Sequence, residues 1–345
     1  MQSPTMNEAA TPWLARAMPR ELHDRLALPV IGAPMFIASY PELVLAQCRA
    51  GVVGCFPALN ARSPEVLDEW LTRLTRELAP GTNLQAAPFG VNLILHKGNP
   101  RQSEDLALVV RHKVPLVVTS VGDPTPVVEH VHAYGGIVWH DVLGMKHARK
   151  AAAAGVDGLI LVCAGAGGHG GTLSPFAFLP EVRSFWDRTI VLGGAISSGR
   201  SIRAAQVLGA DLVYMGTRFL ATREAHVSDA HKQMIVDSTA AEIVYSPAFT
   251  GISANYLARS LVACGLDPQN IVWQSDGEAF DRHPEHDRPK AWKDIWSAGQ
   301  GVGSIADVPT VAELVARLRR EYQEACGDDR QDNTPPSTCR ITPEL

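Results

Sequence analysis

Short apolar runs recur along the chain, separated by longer stretches in which apolar residues fall at helical spacing. Eight such runs, at 29–35, 51–57, 89–95, 116–121, 136–142, 158–163, 189–194 and 212–216, are rich in Val, Ile, Leu and Gly. Near-continuous apolarity marks strands covered on both faces, as in a parallel sheet, whereas strands with one wet face alternate. The runs start about 25 residues apart, the length of one strand, loop and helix unit. Helix signals lie between them. Ser63 precedes Pro64 and Glu65, an N-cap type before a proline suited to the first turn. Leu67, Trp70, Leu71, Leu74 and Leu78 then share one helical face. Helices over 146–154 and 202–208 stop at Gly155 and Gly209, where glycine enters the left-handed conformation at little cost. Eight units of this kind close into an α/β TIM (β/α)8 barrel, with an open doubly wound sheet as the alternative.

The repeat ends near residue 224. The expected organisation is a leader over 1–25, the barrel over 26–224, and a smaller, mainly helical segment over 225–294 inserted after strand eight as a lid. A return segment with a C-terminal helix covers 295–326, and a disordered tail rich in Asp, Pro, Thr and Arg covers 327–345. Composition agrees with a large core: 46% of the 345 residues are hydrophobic and 19% charged. A net charge of -5 leaves no electrostatic footprint for nucleic acid or an anionic membrane. No window reaches the ~18 apolar residues of a membrane span. Charged residues such as Glu8, Arg16 and Arg20 break every short apolar run near the start, so no signal peptide is read. Cysteines 48, 55, 163, 264, 326 and 339 form no C-x-x-C pair and read as free thiols of a cytoplasmic protein. The oligomeric state stays open, a homodimer being compatible.

In such a barrel the chemistry sits at the C-terminal ends of the strands. Gly193-Gly194 ends strand seven and Gly216-Thr217 ends strand eight, offering bare amides and one hydroxyl to a phosphate. Ser197-Ser198-Gly199 starts the next helix and is expected to add free N–H donors. After strand six, five glycines within 165–171 surround His169, whose accessible imidazole suits proton transfer near neutrality. His140 and Asp141 are adjacent on strand five, so one of the two points into the barrel mouth and the other away. His283 and His286, with Glu285 and Asp287, read as a solvated loop rather than a metal site, and no metal is expected. No G-x-G-x-x-G follows the first strand, so a Rossmann dinucleotide site has no motif behind it.

Taken together, VIGAPM at 30–35, FGVNLIL at 89–95, AGVDGLILVCAGAGGHGG at 154–171, VLGGAISSGRSI at 191–202, LGADLVYMGTRFLATRE at 208–224 and WSAGQGVG at 296–303 resemble the nitronate monooxygenase family, formerly 2-nitropropane dioxygenases. The resemblance implies a TIM barrel with FMN across its C-terminal rim. It implies that Ala33, Pro34 and Met35 border the flavin ring and that Asn92 contacts the ribityl or ring region. Gly193, Gly194, Gly216 and Thr217 would hold the phosphate. Gly167, Gly168, His140, Asp141 and Gln300 would add cofactor contacts, and His169 matches the active-site histidine. Two departures stand out. Gly165-Ala166 replaces the acidic residue that often precedes the small-Gly-Gly-His run, and Asp141 stands where Lys or Gln is frequent. The expected activity is oxidation of alkyl nitronates with O2 to carbonyl compounds and nitrite. The alternative is an FMN-dependent NAD(P)H:quinone or enoyl-thioester reductase, because fold and cofactor do not fix the substrate.

Overall fold

A computed structural model describes residues 24–79, 86–271 and 289–331. His283, Glu285, His286 and Asp287 lie outside these residues, as do most of the leader and the tail beyond 331.

Eight parallel strands close a barrel. They are β1 (Val30–Gly32), β2 (Val53–Pro57), β3 (Phe89–Ile94), β4 (Leu116–Ser120), β5 (Ile137–Val142), β6 (Gly158–Val162), β8 (Thr189–Gly193) and β9 (Leu212–Met215), with β9 pairing back onto β1. Each falls inside one of the eight apolar runs. Between and after them lie α1 (Pro41–Arg49), α2 (Pro64–Glu77), α3 (Gln102–Arg111), α4 (Thr125–His132), α5 (Met145–Ala153), α6 (Pro175–Arg183), α7 (Gly199–Leu208) and the single turn α8 (Thr217–Leu220). Ser63 caps α2 by accepting the Val66 amide, and Gly209 ends α7 at φ 112°.

Strand periodicity sorts the side chains into two layers. Ile31, Val53, Cys55, Leu116, Val118, Ile137, Trp139, Ile160, Val191 and Leu212 fill the barrel interior. Their neighbours, such as Val91, Val117, Val138, Leu159 and Val213, pack outward against the helices. Trp139 occupies space that Gly158 leaves free, since a Cβ there would lie 2.5 Å from the indole. Burial of each large side chain in these layers contributes roughly 1.5–3 kcal/mol.

The segment after the barrel is less helical than the sequence suggests. It holds α9 (Asp229–Val236) and α10 (Ala258–Ala263), but between them run β10 (Ile243–Ser246) and β11 (Ala254–Leu257). This antiparallel hairpin takes β7 (Gly168–His169), from the loop after β6, as its third strand. Four-residue strands carry too little pattern to be read alone, and their pairing partner is remote in sequence. The last helix, α11 (Val311–Gln331), runs past the expected end at residue 326. It packs on α7 and α1, across the seam between the last and first units.

Candidate active site

Alternation along the strands decides which polar residues enter the barrel. On β5, Ile137 and Trp139 point inward, and Asp141 follows them; Val138 and Val142 point outward, and His140 follows those. His140 is buried against the helix layer, bonded through Nδ1 to Thr119 Oγ1 at 2.8 Å. Desolvation lowers its pKa to about 4. Of the two adjacent residues, then, Asp141 faces the barrel's inner space and His140 does not.

Asp141 ends a short polar chain. Asn92 Nδ2 donates to Ser120 Oγ at 2.8 Å, and Ser120 Oγ donates to Asp141 Oδ2 at 2.6 Å. Burial pushes the Asp141 carboxyl up to about 7, the Ser120 hydrogen bond opposing this only in part. Its second oxygen, Oδ1, is buried without a partner, and so is the Tyr214 hydroxyl on β9. Buried polar atoms normally find partners, so two orphans toward the rim end of one barrel interior mark a place for a polar ligand.

The strand-end glycines meet at one side of the rim. A Cβ on Gly167 would lie 2.9 Å from the Gly299 nitrogen and 3.1 Å from Thr217 Oγ1. One on Gly165 would reach Gln300 Oε1 at 2.9 Å and Ala195 at 3.3 Å. Gly299 N donates to Thr217 Oγ1 at 2.8 Å, and Gln300 N donates to the Gly165 carbonyl at 2.9 Å. The glycines thus let two loops touch. Gly194, at φ 136°, turns away from β8 where a Cβ would strike the Ala164 carbonyl at 2.7 Å. Gly216 is more open, with Ala33 and Met35 as its nearest neighbours at 3.5 and 3.6 Å. Thr217 opens α8, so its amide has no intrahelical acceptor.

The start of α7 differs from the expectation that it offers free donors. Ser197 N and Ser198 N both donate to Ser201 Oγ, and Gly199 N donates to Glu321 Oε2 at 2.7 Å. The α11 backbone crosses this helix end so closely that a Cβ on Gly199 would lie 2.3 Å from Tyr322 N. A carboxylate of the chain itself already takes the place of an anion there.

His169 lies at the edge of this arrangement, on β7. Its backbone pairs with Ala254, and its Nε2 lies 2.9 Å from Thr250 Oγ1. The Trp292 ring meets the imidazole edge-on, 5.3 Å between centroids and 88° between planes. The glycine loop is also held by the lid and by the return segment. Asn255 Nδ2 donates to the Ala166 carbonyl, Gly168 N donates to Ser297 Oγ, and Tyr245 OH donates to the Gly170 carbonyl. Burial lowers the His169 pKa to about 4, so the ring is neutral at pH 7.

Three residues outside the sequence-based set shape the same region. Asn60 accepts the Ile37 amide and donates to the Met35 and Ser39 carbonyls, clamping the loop after β1. Arg218, only 3% exposed, is fixed to Asp307 at 2.9 Å beside Thr217. Thr250 faces His169. A buried arginine in MGTRF was a readable signal; Asn60 and Thr250 gave none, because their partners are distant in sequence. Among the described residues no cluster of three or more His, Cys, Asp or Glu is arranged to hold a metal ion. No helix among them is long and apolar enough to cross a membrane.

This barrel, rim and lid can be set beside known proteins. A family model described as nitronate monooxygenase matches residues 101–321. The chain belongs to the nitronate monooxygenase family. It is 25% identical to the nitronate monooxygenase of Paraburkholderia phytofirmans, over 88% of this chain and 94% of that protein. It is 29% identical to the (3aS,4S,5R,7aS)-5-hydroxy-7a-methyl-1-oxo-octahydro-1H-indene-4-carboxyl-CoA dehydrogenase of Rhodococcus jostii, over 59% of this chain and 55% of that protein. Among solved structures, the nitroalkane oxidase of Streptomyces ansochromogenes superimposes with a TM-score of 0.73 at 25% identity, covering 89% of this chain and 99% of that one. Members of the nitronate monooxygenase family are flavin-dependent oxidoreductases, and this chain is an enzyme of that class.

Proposed function

We propose that this protein is an FMN-dependent nitronate monooxygenase that converts alkyl nitronates and O2 to carbonyl compounds and nitrite. The carrying observation is His169, a neutral imidazole fixed between the glycine loop and the lid at the catalytic rim of the barrel. The surrounding residues fit a flavin mononucleotide. Gly193, Gly194, Gly216 and Thr217 would hold its phosphate: Thr217 Oγ1 accepts the Gly299 amide, which leaves the hydroxyl proton for an anion. Ala33, Pro34, Met35, Asn92, Gly167, Gly168 and Gln300 would line the rest. The unpartnered Asp141 Oδ1 and Tyr214 hydroxyl are the polar atoms a heteroaromatic ring would satisfy. His140, facing the helices, supports the barrel wall rather than the cofactor.

Bound FMN would supply the electron transfer and the reaction with oxygen. The chain supplies the proton chemistry and the dry setting. A neutral imidazole accepts the α-proton of a nitroalkane and, once protonated, donates a hydrogen bond to the nitronate oxygens. The lid hairpin, paired with the strand that carries His169, would help keep water from that step. The decisive experiment is oxygen uptake by the purified protein with a panel of alkyl nitronates. A yellow protein that consumes oxygen and releases nitrite supports the assignment; a protein that takes up no flavin on reconstitution overturns it.

A second reading is favoured by the likeness to the CoA-ester dehydrogenase of Rhodococcus jostii. On the same barrel, the enzyme would reduce a quinone or an enoyl thioester with NAD(P)H. Rapid anaerobic reduction of the bound flavin by NADH, without nitronate turnover, would select it.

A further inference from the structure

Two loops meet at the active-site histidine, and their hydrogen bonds decide which of its nitrogens is free. His169 Nε2 lies 2.9 Å from Thr250 Oγ1, a residue in the turn between β10 and β11. A threonine hydroxyl has one proton to give. Thr250 Oγ1 is also 2.9 Å from the Ile252 carbonyl, which can only accept, so the hydroxyl proton points there. Toward the ring, Oγ1 is therefore an acceptor and Nε2 the donor. Burial keeps the imidazole neutral at pH 7, so the ring carries a single hydrogen. The Trp292 ring packs edge-on against the same imidazole.

We propose that Thr250 is a positioning residue that holds His169 in the Nε2–H tautomer and thereby makes Nδ1 the proton-accepting atom. The assignment deepens the reading of His169 as the acid/base group and rests on it. It adds a role for the lid: β10 and β11 bring to the barrel rim the hydroxyl that selects the reactive nitrogen. The same hairpin pairs with the histidine's own backbone, so the ring and the hydroxyl belong to one three-stranded sheet and its turn.

The test uses the flavin-loaded enzyme labelled with 15N-histidine. Long-range 1H–15N correlation at neutral pH reads the tautomer, and His169→Ala identifies the signal by its loss. A protonated Nε2 and a bare Nδ1 are expected. Thr250→Val, which keeps the shape but removes the acceptor, should move the signal toward a tautomer mixture and lower kcat about 10-fold or more, with KM nearly unchanged. Thr250→Ser should restore both. A protonated Nδ1 in the parent enzyme, or a tautomer ratio indifferent to Thr250→Val, overturns the proposal. Because the tautomer is read without turnover, it stands apart from the broader reading. If His169→Ala retained full activity, that reading would fall whatever the spectra showed.

Discussion

His169 and Asp141 show how one environment sets two residues against their ordinary chemistry. Burial drives the imidazole's pKa down to about 4 and the carboxyl's up to about 7, so at neutral pH the ring is uncharged while the carboxyl is divided between its two forms. Removing the imidazole should leave flavin binding intact, since none of the phosphate-side residues touch it. His169→Ala is expected to keep a flavin spectrum and lose roughly 10²–10⁴-fold in kcat with nitroalkane, measured by oxygen uptake. Asp141 gives a stability prediction for the flavin-free protein. Its folded pKa, about 7, exceeds its ordinary value of 3.8, so ionisation opposes folding increasingly as pH rises between those values. Asp141→Asn should therefore raise the melting temperature clearly at pH 8 and little at pH 4. Motif resemblance made His169, Asn92 and Asp141 legible in the sequence. It could not say which of His140 and Asp141 points inward; strand register decided that. Thr250 lies 81 residues from its histidine partner, and no local pattern announces such a contact.

At the level of elements, the loop after β6 does two jobs with the same glycines. Gly165 and Gly167 admit the 299–301 turn at contact distance, while Gly168 and His169 form a strand with the lid. A methyl at Gly167 must displace backbone, so Gly167→Ala should cost about 1–3 kcal/mol of stability by urea unfolding. It should weaken flavin retention at the same time, because Thr217 is the other neighbour displaced. The start of α7 yields a second expectation. Glu321 takes the Gly199 amide, and Glu321→Ala should cost about 0.5–2 kcal/mol, the usual range for a lost helix cap. The eight barrel strands were readable because parallel strands are apolar throughout; all eight appear where the runs lie. The β10–β11 hairpin was not, since its short strands owe their form to the β7 edge they pair with. Of the donors at α7, the Gly199 amide was misjudged for a related reason, its carboxylate coming from a helix more than a hundred residues later, whereas Ser201 takes the other two locally.

The whole molecule carries a built-in acid sensitivity. His140, His169 and His231 are all buried with pKa values lowered to about 4, against 6.5 when unfolded. Above pH 6.5 they cost nothing. As pH falls from 6.5 toward 4, the unfolded chain binds protons that the folded one refuses, and stability declines. Thermal unfolding followed at pH 7.5, 6.0 and 5.0 should show a steepening fall in melting temperature. His140→Asn and His231→Asn should each reduce that slope, which unchanged slopes would refute. The three side chains sit in different layers: the barrel wall against Thr119, the lid edge beside Thr250, and the stack on Trp296. The effect is thus distributed rather than local. Composition foretold a large core, but not that part of it would be titratable.

The helix α11 has a consequence for the order of synthesis. It lies across α1 and α7, and its Glu321 completes a helix end made more than a hundred residues earlier. A ribosome-bound chain that has just emitted all eight strands can pair β9 with β1 but still lacks the helix that covers the seam between them. Such a nascent chain should stay protease-sensitive until residues beyond 321 clear the exit tunnel, and then harden in one step.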